Sequence, residues 1–381
     1  MICPQATQAQ EKQEIDSARQ AELWQQPDFV RAYYVVAEPG GALYSVYGHA
    51  CLHLECPAYG LDYFFSYESE DASQKILSFL SGKLHMGMRA VNADKYLSGF
   101  AEDGRGVKEY EFNLPIDVKR ELWRVLDAKI AEGMNLPYDY EARGCAYACV
   151  MLLEEALGEK TIDYSEWSPR FNRSRREICN DFSERDFPWN TVAINAIVGA
   201  DVVEHLTPHE KLIIPTEVAE VLQNAKYKGE FLLSREPHEL LPSKIANHGN
   251  WFTPMVAAII ILLLAIANVY WQIPCIDWMV LAIVTLIGVA VTYLVLISSL
   301  PCSSFNWLII PFNILPAICW RWRRYWALPY AGIIALWLIY SLVAPHQLAD
   351  GSMLVLALTF GITLLNNRYN NINLFPRRGK I

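Results

Sequence analysis

The chain lacks the motifs by which most soluble enzymes declare themselves. It has no phosphate-cradling glycine loop and no Gly-x-Ser-x-Gly elbow, which sets aside the common nucleotide-binding and serine-hydrolase patterns. Neither Cys51 with Cys56 nor Cys145 with Cys149 has the two-residue gap of a zinc knuckle, and no second half follows, so no metal is expected. Charge is scarce at 19% of residues, and it is unevenly spread. From Trp251 onward there are seven basic and two acidic residues against a chain total of −9, which leaves −14 on the first 250. That acidic half has no basic stripe with interleaved aromatics, so nucleic acid is excluded as a partner. The N-terminus has neither a basic n-region nor an adequate apolar core for a signal peptide. Residues 1–27 read as a glutamine-rich leader, or as the residue of a signal segment whose small-residue end is Ala6-Thr7-Gln8-Ala9.

What is present is a sharp division near residue 246. Hydrophobic runs cover Trp251 to Trp271, Ile276 to Ser299, Phe305 to Trp320, Trp326 to Ala344 and Gly351 to Leu365. The first, second and fourth are long enough to cross about 30 Å of hydrocarbon as helices. The third, interrupted by Pro311 and Pro316, and the fifth are short, so either is a candidate for a broken or re-entrant segment. With five spans, Arg321, Arg323 and Arg324 and the tail Arg377, Arg378, Lys380 fall on one side, and the intervening loops carry no Lys or Arg. The positive-inside rule then places the C-terminus in the cytoplasm and the acidic domain outside.

Residues 28–245 read as an α+β domain of short strands set between helices. Strands are expected at Val30 to Ala37, Ala50 to Glu55, Asp62 to Tyr67 and Val107 to Leu114. Helices are expected within Asp71 to Leu84, at Asp117 to Glu132 and at Cys145 to Leu157. The arginine-rich stretch Trp167 to Arg185 reads as a mobile surface segment or lid.

Two residues stand out chemically. Cys145 opens a helix, where free N–H groups favour a thiolate. Its position alone equally allows a small buried residue, or a bridge to Cys149 or Cys179. Nine cysteines are present, five of them in residues 28–245, so at least one thiol there stays unpaired. His49 and His53 share a strand face but lie roughly 13 Å apart, so one thiol cannot touch both. Gly48 permits close backbone approach before His49, which makes His49 the better base. His53 is then a structural histidine or a wall of a substrate groove.

These residues resemble a known family, the Lnb-type lipoprotein intramolecular transacylases. The likeness covers roughly residues 28–225 and rests on Leu43-Tyr44-Ser45-Val46-Tyr47-Gly48-His49-Ala50-Cys51-Leu52, Phe79-Leu80-Ser81-Gly82-Lys83-Leu84, Tyr138-Asp139-Tyr140 ahead of Cys145, and Phe187-Pro188-Trp189. Leu206-Thr207-Pro208, Ile213-Ile214-Pro215 and, in the membrane part, Ser303-Ser304-Phe305-Asn306-Trp307 with Asn313 and Pro316 extend it. The His-then-Cys order is similar to the circularly permuted NlpC/P60 and lecithin:retinol acyltransferase group. The resemblance implies a papain-like α+β domain with His49 and Cys145 as a catalytic dyad and Ser66 as the residue that orients the imidazole. Tyr47, His53 and Arg143 are its candidates for substrate contact. Arg143-Gly144 stands where the family has Asp-Asn, and His53 where it has Arg.

The expected activity is a membrane-bound lipoprotein transacylase. It would move a fatty acyl chain from the diacylglyceryl group of a lipoprotein to its terminal α-amine through a Cys145 thioester, at the outer face of a bacterial cytoplasmic membrane. The acyl donor is already an ester, so the chemistry needs no cofactor. The partners are then diacylglyceryl-modified lipoproteins and membrane lipid. A cell-wall cysteine peptidase or amidase, and a non-catalytic lipoprotein-binding scaffold, are the alternatives.

Overall fold

The computed structural model describes residues 22–69, 76–133, 136–137, 144–158, 161–165, 175–199, 212–245, 251–303, 305–344 and 349–366. Its N-terminal part is α+β and is built on a seven-stranded antiparallel sheet of order β10-β5-β1-β2-β3-β4-β6. The strands are β1 (Arg31–Ala37), β2 (His49–Cys56), β3 (Leu61–Ser69), β4 (His85–Asn92), β5 (Val107–Glu111), β6 (Leu136–Pro137) and β10 (His238–Leu241). Three two-residue strands, β7 (Ile162–Asp163), β8 (Lys226–Tyr227) and β9 (Glu230–Phe231), form a separate small sheet. The tyrosines and valines of β1 suit a pleated surface buried on both sides, and β1 accordingly lies inside the sheet, between β5 and β2. Its partner β2 is registered with Ala37 opposite His49 and Arg31 opposite Glu55.

The two sheet faces bury different things. Ala50, Leu52, Leu54 and Phe65 point into the larger core, shared with α3 (Ile116–Glu132), α4 (Cys145–Leu157) and α7 (Pro215–Asn224). Cys51 and Phe64 point to the other face, which is covered by α2 (Ala93–Glu102) through Tyr96, Leu97 and Phe100. Helix α3 starts directly after Pro115 and stops at Gly133, whose φ of 75° ends it. A fully buried Leu, such as Leu122 or Leu153 in this core, contributes about 1.5–3 kcal/mol.

Three sequence expectations change here. Strand β5 ends at Glu111, and Phe112 continues only as an isolated bridge to Leu233. Strand β4 and helix α2 have no counterpart in the sequence reading, while the helix expected within Asp71 to Leu84 is described only as α1 (Ile76–Leu80). Part of the supposed lid is helix α5 (Arg175–Ser183), whose Arg176 is buried and donates through Nη2 to the carbonyls of Val198 and Gly199 at 2.9 and 2.8 Å. A guanidinium anchored on two main-chain carbonyls is a packed feature, so this section is not a free surface segment.

The C-terminal part is helical. Helices α8 (Pro254–Trp271) and α9 (Pro274–Leu296), and the stretch Trp320–Val343 that contains α11 (Arg323–Val343), are each long and apolar enough to cross a membrane. Helix α12 (Gly351–Leu365), with 15 residues, is shorter, about 22 Å at 1.5 Å per residue. The third apolar run is broken: a 3-10 turn at Trp307–Ile309 and the four-residue α10 (Leu315–Ile318) replace a continuous helix. Its exposed backbone groups are taken up by side chains, since Asn313 Nδ2 donates to the carbonyls of Ile309 and Ile310, and the Tyr330 hydroxyl donates to Ile310 at 2.6 Å. Non-helical backbone within an apolar region needs such internal partners. The broken run lies antiparallel along α9: Ser303 bonds the Leu294 carbonyl, Asn313 abuts Gly288, and Trp320 meets Trp278 at 5.7 Å.

The two parts are clasped together through main-chain carbonyls that accept from both main-chain and side-chain donors. The Ser299 N–H donates to Ser81 and the Gly199 N–H to Cys302. In α6 (Pro188–Ile197), the Ala196 carbonyl accepts from Asn306 and the Trp189 indole donates to Phe252, each at 2.8 Å. At Gly82, φ is 71° and an added Cβ would lie 2.6 Å from the Leu300 nitrogen, so only glycine fits that turn.

Candidate active site

Cys145 is the first residue of α4, directly after Gly144 as N-cap. The helix packs on the Ala50 face of the sheet, and its first turn reaches the end of β2. There the ladder between β2 and β3 is registered only from Leu52 opposite Phe65 inward, and the Ala50 N–H donates instead to Cys145 Sγ at 3.4 Å. The neighbouring residue on β2 is His49. A helix-borne thiol and a strand-borne imidazole, 96 positions apart in sequence, therefore meet at one sheet end.

The electrostatics of the pair favour ionisation. Burial pushes the Cys145 thiol up, but the His49 charge, a hydrogen bond from His49 and the N–H groups of Ala50 and Ala146 outweigh it, so its pKa is lowered. Burial acts to lower the His49 pKa, and the Cys145 charge and hydrogen bond overcome it, leaving His49 raised. In these opposite shifts each group favours the charged form of the other.

Ser66 completes the arrangement from the adjacent strand. It is fully buried; its Oγ lies 2.7 Å from His49 Nε2 and accepts the Tyr96 hydroxyl at 2.9 Å. With Nε2 occupied by Ser66, Nδ1 is the nitrogen left to face the thiol.

The other expected residues divide. Tyr47 is half-buried and its ring lies 6.2 Å from that of Phe182, among the residues packed around α5 and α6. Arg143 lies outside the described residues. His53 is only 3% exposed and lines no open groove. Its Nδ1 lies 2.7 Å from Glu109 and its Nε2 2.8 Å from Asp62, while its ring stacks on Phe64 at 4.2 Å. Burial lowers its pKa, but the hydrogen bonds and charges of Glu109 and Asp62 raise it overall, so the clamp favours the protonated ring. His53, Glu55 and Asp62 also bring three ligand atoms within 4.8 Å of one another, the one trio among the described residues with the donor types of a metal site. A cation there would have to displace the Nε2 proton that Asp62 receives, and the sequence reading had no spacing signal for it because Asp62 enters across the β2–β3 pair.

Cys145 is in no disulfide, nor are Cys51, Cys56, Cys149 and Cys179, so neither of the alternative bridges to Cys145 forms. One site residue escaped the sequence reading altogether. Arg105 is 5% exposed, its Nε donates to the Glu38 carbonyl at 2.7 Å, and it lies over the Phe100 ring at 4.9 Å. Its charge acts on both His49 and Cys145. A lone Arg in the Gly104-Arg105-Gly106 turn carries no local signal that it will reach a dyad.

No family model matches the chain, and neither the curated proteins nor the solved structures searched include a significant match.

Proposed function

We propose that this chain is a membrane-bound Cys-His acyltransferase that moves a fatty acyl group from an ester of the diacylglyceryl moiety to the α-amine of a lipoprotein's terminal cysteine. The single observation that carries this reading is the Cys145–His49–Ser66 arrangement, with its lowered thiol pKa, in a domain clasped to long apolar helices. A helix-borne cysteine facing a strand-borne histidine supports a papain-like arrangement.

In this scheme the Cys145 thiolate attacks the ester carbonyl, and the C=O electron pair moves to oxygen. Collapse breaks the bond to the glycerol oxygen, which leaves as an alcohol with the proton from His49. The α-amine then attacks the thioester, gives its proton to His49 and expels the thiolate. One ester bond is exchanged for one amide bond, and the product is N-acylated and lyso. In this scheme the helix N-terminal N–H groups at Cys145 and Ala146 help to hold the oxyanion.

We place the α+β domain outside a bacterial cytoplasmic membrane and the C-terminus inside, with five passes. The contacts of the broken run with α9 from Leu294 down to Trp278 support a crossing at that point, and Arg321, Arg323 and Arg324 then fall on the side away from the α+β domain. An apolar groove of about 260 Å³ between Trp307, Ile310, Ile333, Leu336, Trp337 and Tyr340 has the lining an acyl chain requires.

The decisive experiment is mass spectrometry of lipoprotein N-terminal peptides from cells with and without the protein. Lyso, N-acylated peptides that disappear with Cys145→Ala support the reading. Unchanged peptides, or acylation that persists in the Ala variant, overturn it.

A further inference from the structure

Arg105 comes to the dyad through the sheet. It stands two residues ahead of Val107, which is registered opposite Ala37 on β1, and Ala37 is registered opposite His49 on β2. Three contacts fix its arm: the Glu38 carbonyl on Nε, the Phe100 ring beneath the guanidinium, and Gly40, where a Cβ would lie 3.2 Å from Arg105 Cδ. Yet Nη2 is buried and has no hydrogen-bond partner, and among the described residues no carboxylate pairs with this side chain. An always-charged group held out of water with a donor unspent is costly unless something else supplies the acceptor. Asp103 acts on Arg105 through its charge without forming a salt bridge, while Glu109 and Asp62 pair with His53 and Glu111 with Lys119.

We infer that Arg105 is the oxyanion-binding residue of this site: its free Nη2 takes the carbonyl oxygen of an acyl ester and holds the negative charge that oxygen gains when the Cys145 thiolate adds. The inference rests on Cys145 being an acyl-accepting thiol. It assigns the ligand as a neutral ester that becomes anionic, and it gives Arg105 the electrophilic role. Electrostatic influence of Arg105 on both Cys145 and His49 agrees with that location. When the carbonyl adds to sulfur, its electron pair resides on the oxygen facing the guanidinium. When the tetrahedral species collapses, the pair returns, the ester C–O bond breaks and His49 protonates the alkoxide.

Two reactions of the same thiol separate this role from a general effect on the thiolate. Alkylation by iodoacetamide is a displacement with no oxyanion, whereas acylation by p-nitrophenyl butyrate passes through one. Both are measured on the full-length protein in detergent, with Arg105→Gln and Arg105→Lys. For Arg105→Gln, acylation compared at pH above both thiol midpoints is expected to fall about 10²–10³-fold, the usual loss on removing an oxyanion donor, while the alkylation rate at its high-pH plateau stays that of the parent and only its midpoint moves upward with the loss of a positive neighbour. Arg105→Lys keeps the charge and most of the volume, and is expected to recover part of the acylation rate. The inference is overturned if acylation is unchanged, or if alkylation falls in parallel with it. Should Arg105→Gln fail to fold, Arg105→Lys decides: a selective loss of acylation supports the role, and equal effects on both reactions refute it. A parent protein that alkylates but does not acylate would instead sink the acyltransfer reading itself.

Discussion

Ser66 Oγ lies 2.7 Å from His49 Nε2 while accepting a hydrogen bond from Tyr96 at 2.9 Å, so one hydroxyl joins helix α2 to the imidazole. A serine oxygen has two acceptor sites, and with Tyr96 on one, the other can receive Nε2–H and leave the Nδ1 lone pair toward the thiol. Ser66→Ala removes that constraint and strands the buried Tyr96 hydroxyl. Acyl transfer should fall about 10–100-fold, the equivalent of a hydrogen bond to a charged group, with the loss in kcat rather than KM. Steady-state kinetics on the purified protein checks this, and an unchanged kcat would remove Ser66 from the site.

The reactivity of Cys145 should follow the imidazolium. In the folded chain its pKa lies below 9.0 although burial alone acts to raise it. The rate of iodoacetamide labelling against pH should therefore have its midpoint below 9.0 in the parent protein. In His49→Gln the positive neighbour is gone, burial acts almost unopposed, and the midpoint should move upward. A midpoint that stays in place would mean that His49 does not control the thiol.

His53 makes a pH-dependent contribution of definite sign. Its folded pKa is raised above 6.5, so the stability it supplies is fully present below that pH and is lost as pH rises through the folded value. Parent and His53→Gln proteins should differ most in Tm at mildly acidic pH and converge under alkaline conditions. At the acidic end the variant should be about 1–3 kcal/mol less stable, because Glu109 loses one of its two histidine contacts and keeps His238 at 2.9 Å. A difference that grows with pH would show that His53 folds in neutral form.

Gly288 tests the broken run. A Cβ added there would lie 2.7 Å from the Asn313 carbonyl oxygen, against main chain rather than a flexible side chain. Gly288→Ala should cost about 1–3 kcal/mol as overpacking, read as a lower melting temperature in detergent. Gly332→Ala, where an added Cβ meets nothing within 4 Å, is the matched control and should melt like the parent.

Much of the local structure was legible in the residues. The helix Cys145–Leu157, bounded by Gly144 and Gly158, and the strand ending at Ala37 were visible because glycines and apolar periodicity are local signals. His49 and Cys145 were each identifiable by their own surroundings, and the fold brings them together. What escaped depends on pairing between distant segments. The clamp on His53 needs Glu109 from β5 and Asp62 from β3, and the reach of Arg105 to His49 needs β1 between them. Strand β4 was missed because its polar side chains Arg89 and Asn92 dilute an alternation that only its place beside β3 makes meaningful. The apolar run at 305–320 gave its prolines away, but not the Asn313 and Tyr330 bonds that let it remain unwound.

The Ser81–Ser299 and Gly199–Cys302 bonds are peptide-to-peptide, a pairing that substitution of side chains leaves in place. Mutual placement of the two halves is thus written in part into atoms common to all residues, with Gly82 and the side chains of Trp189, Ser298, Ser299 and Asn306 as the exceptions. The height of the thiol above the apolar helices is thereby held fixed, and on the proposed acyl-transfer reading a lipid-borne ester would have to rise to it.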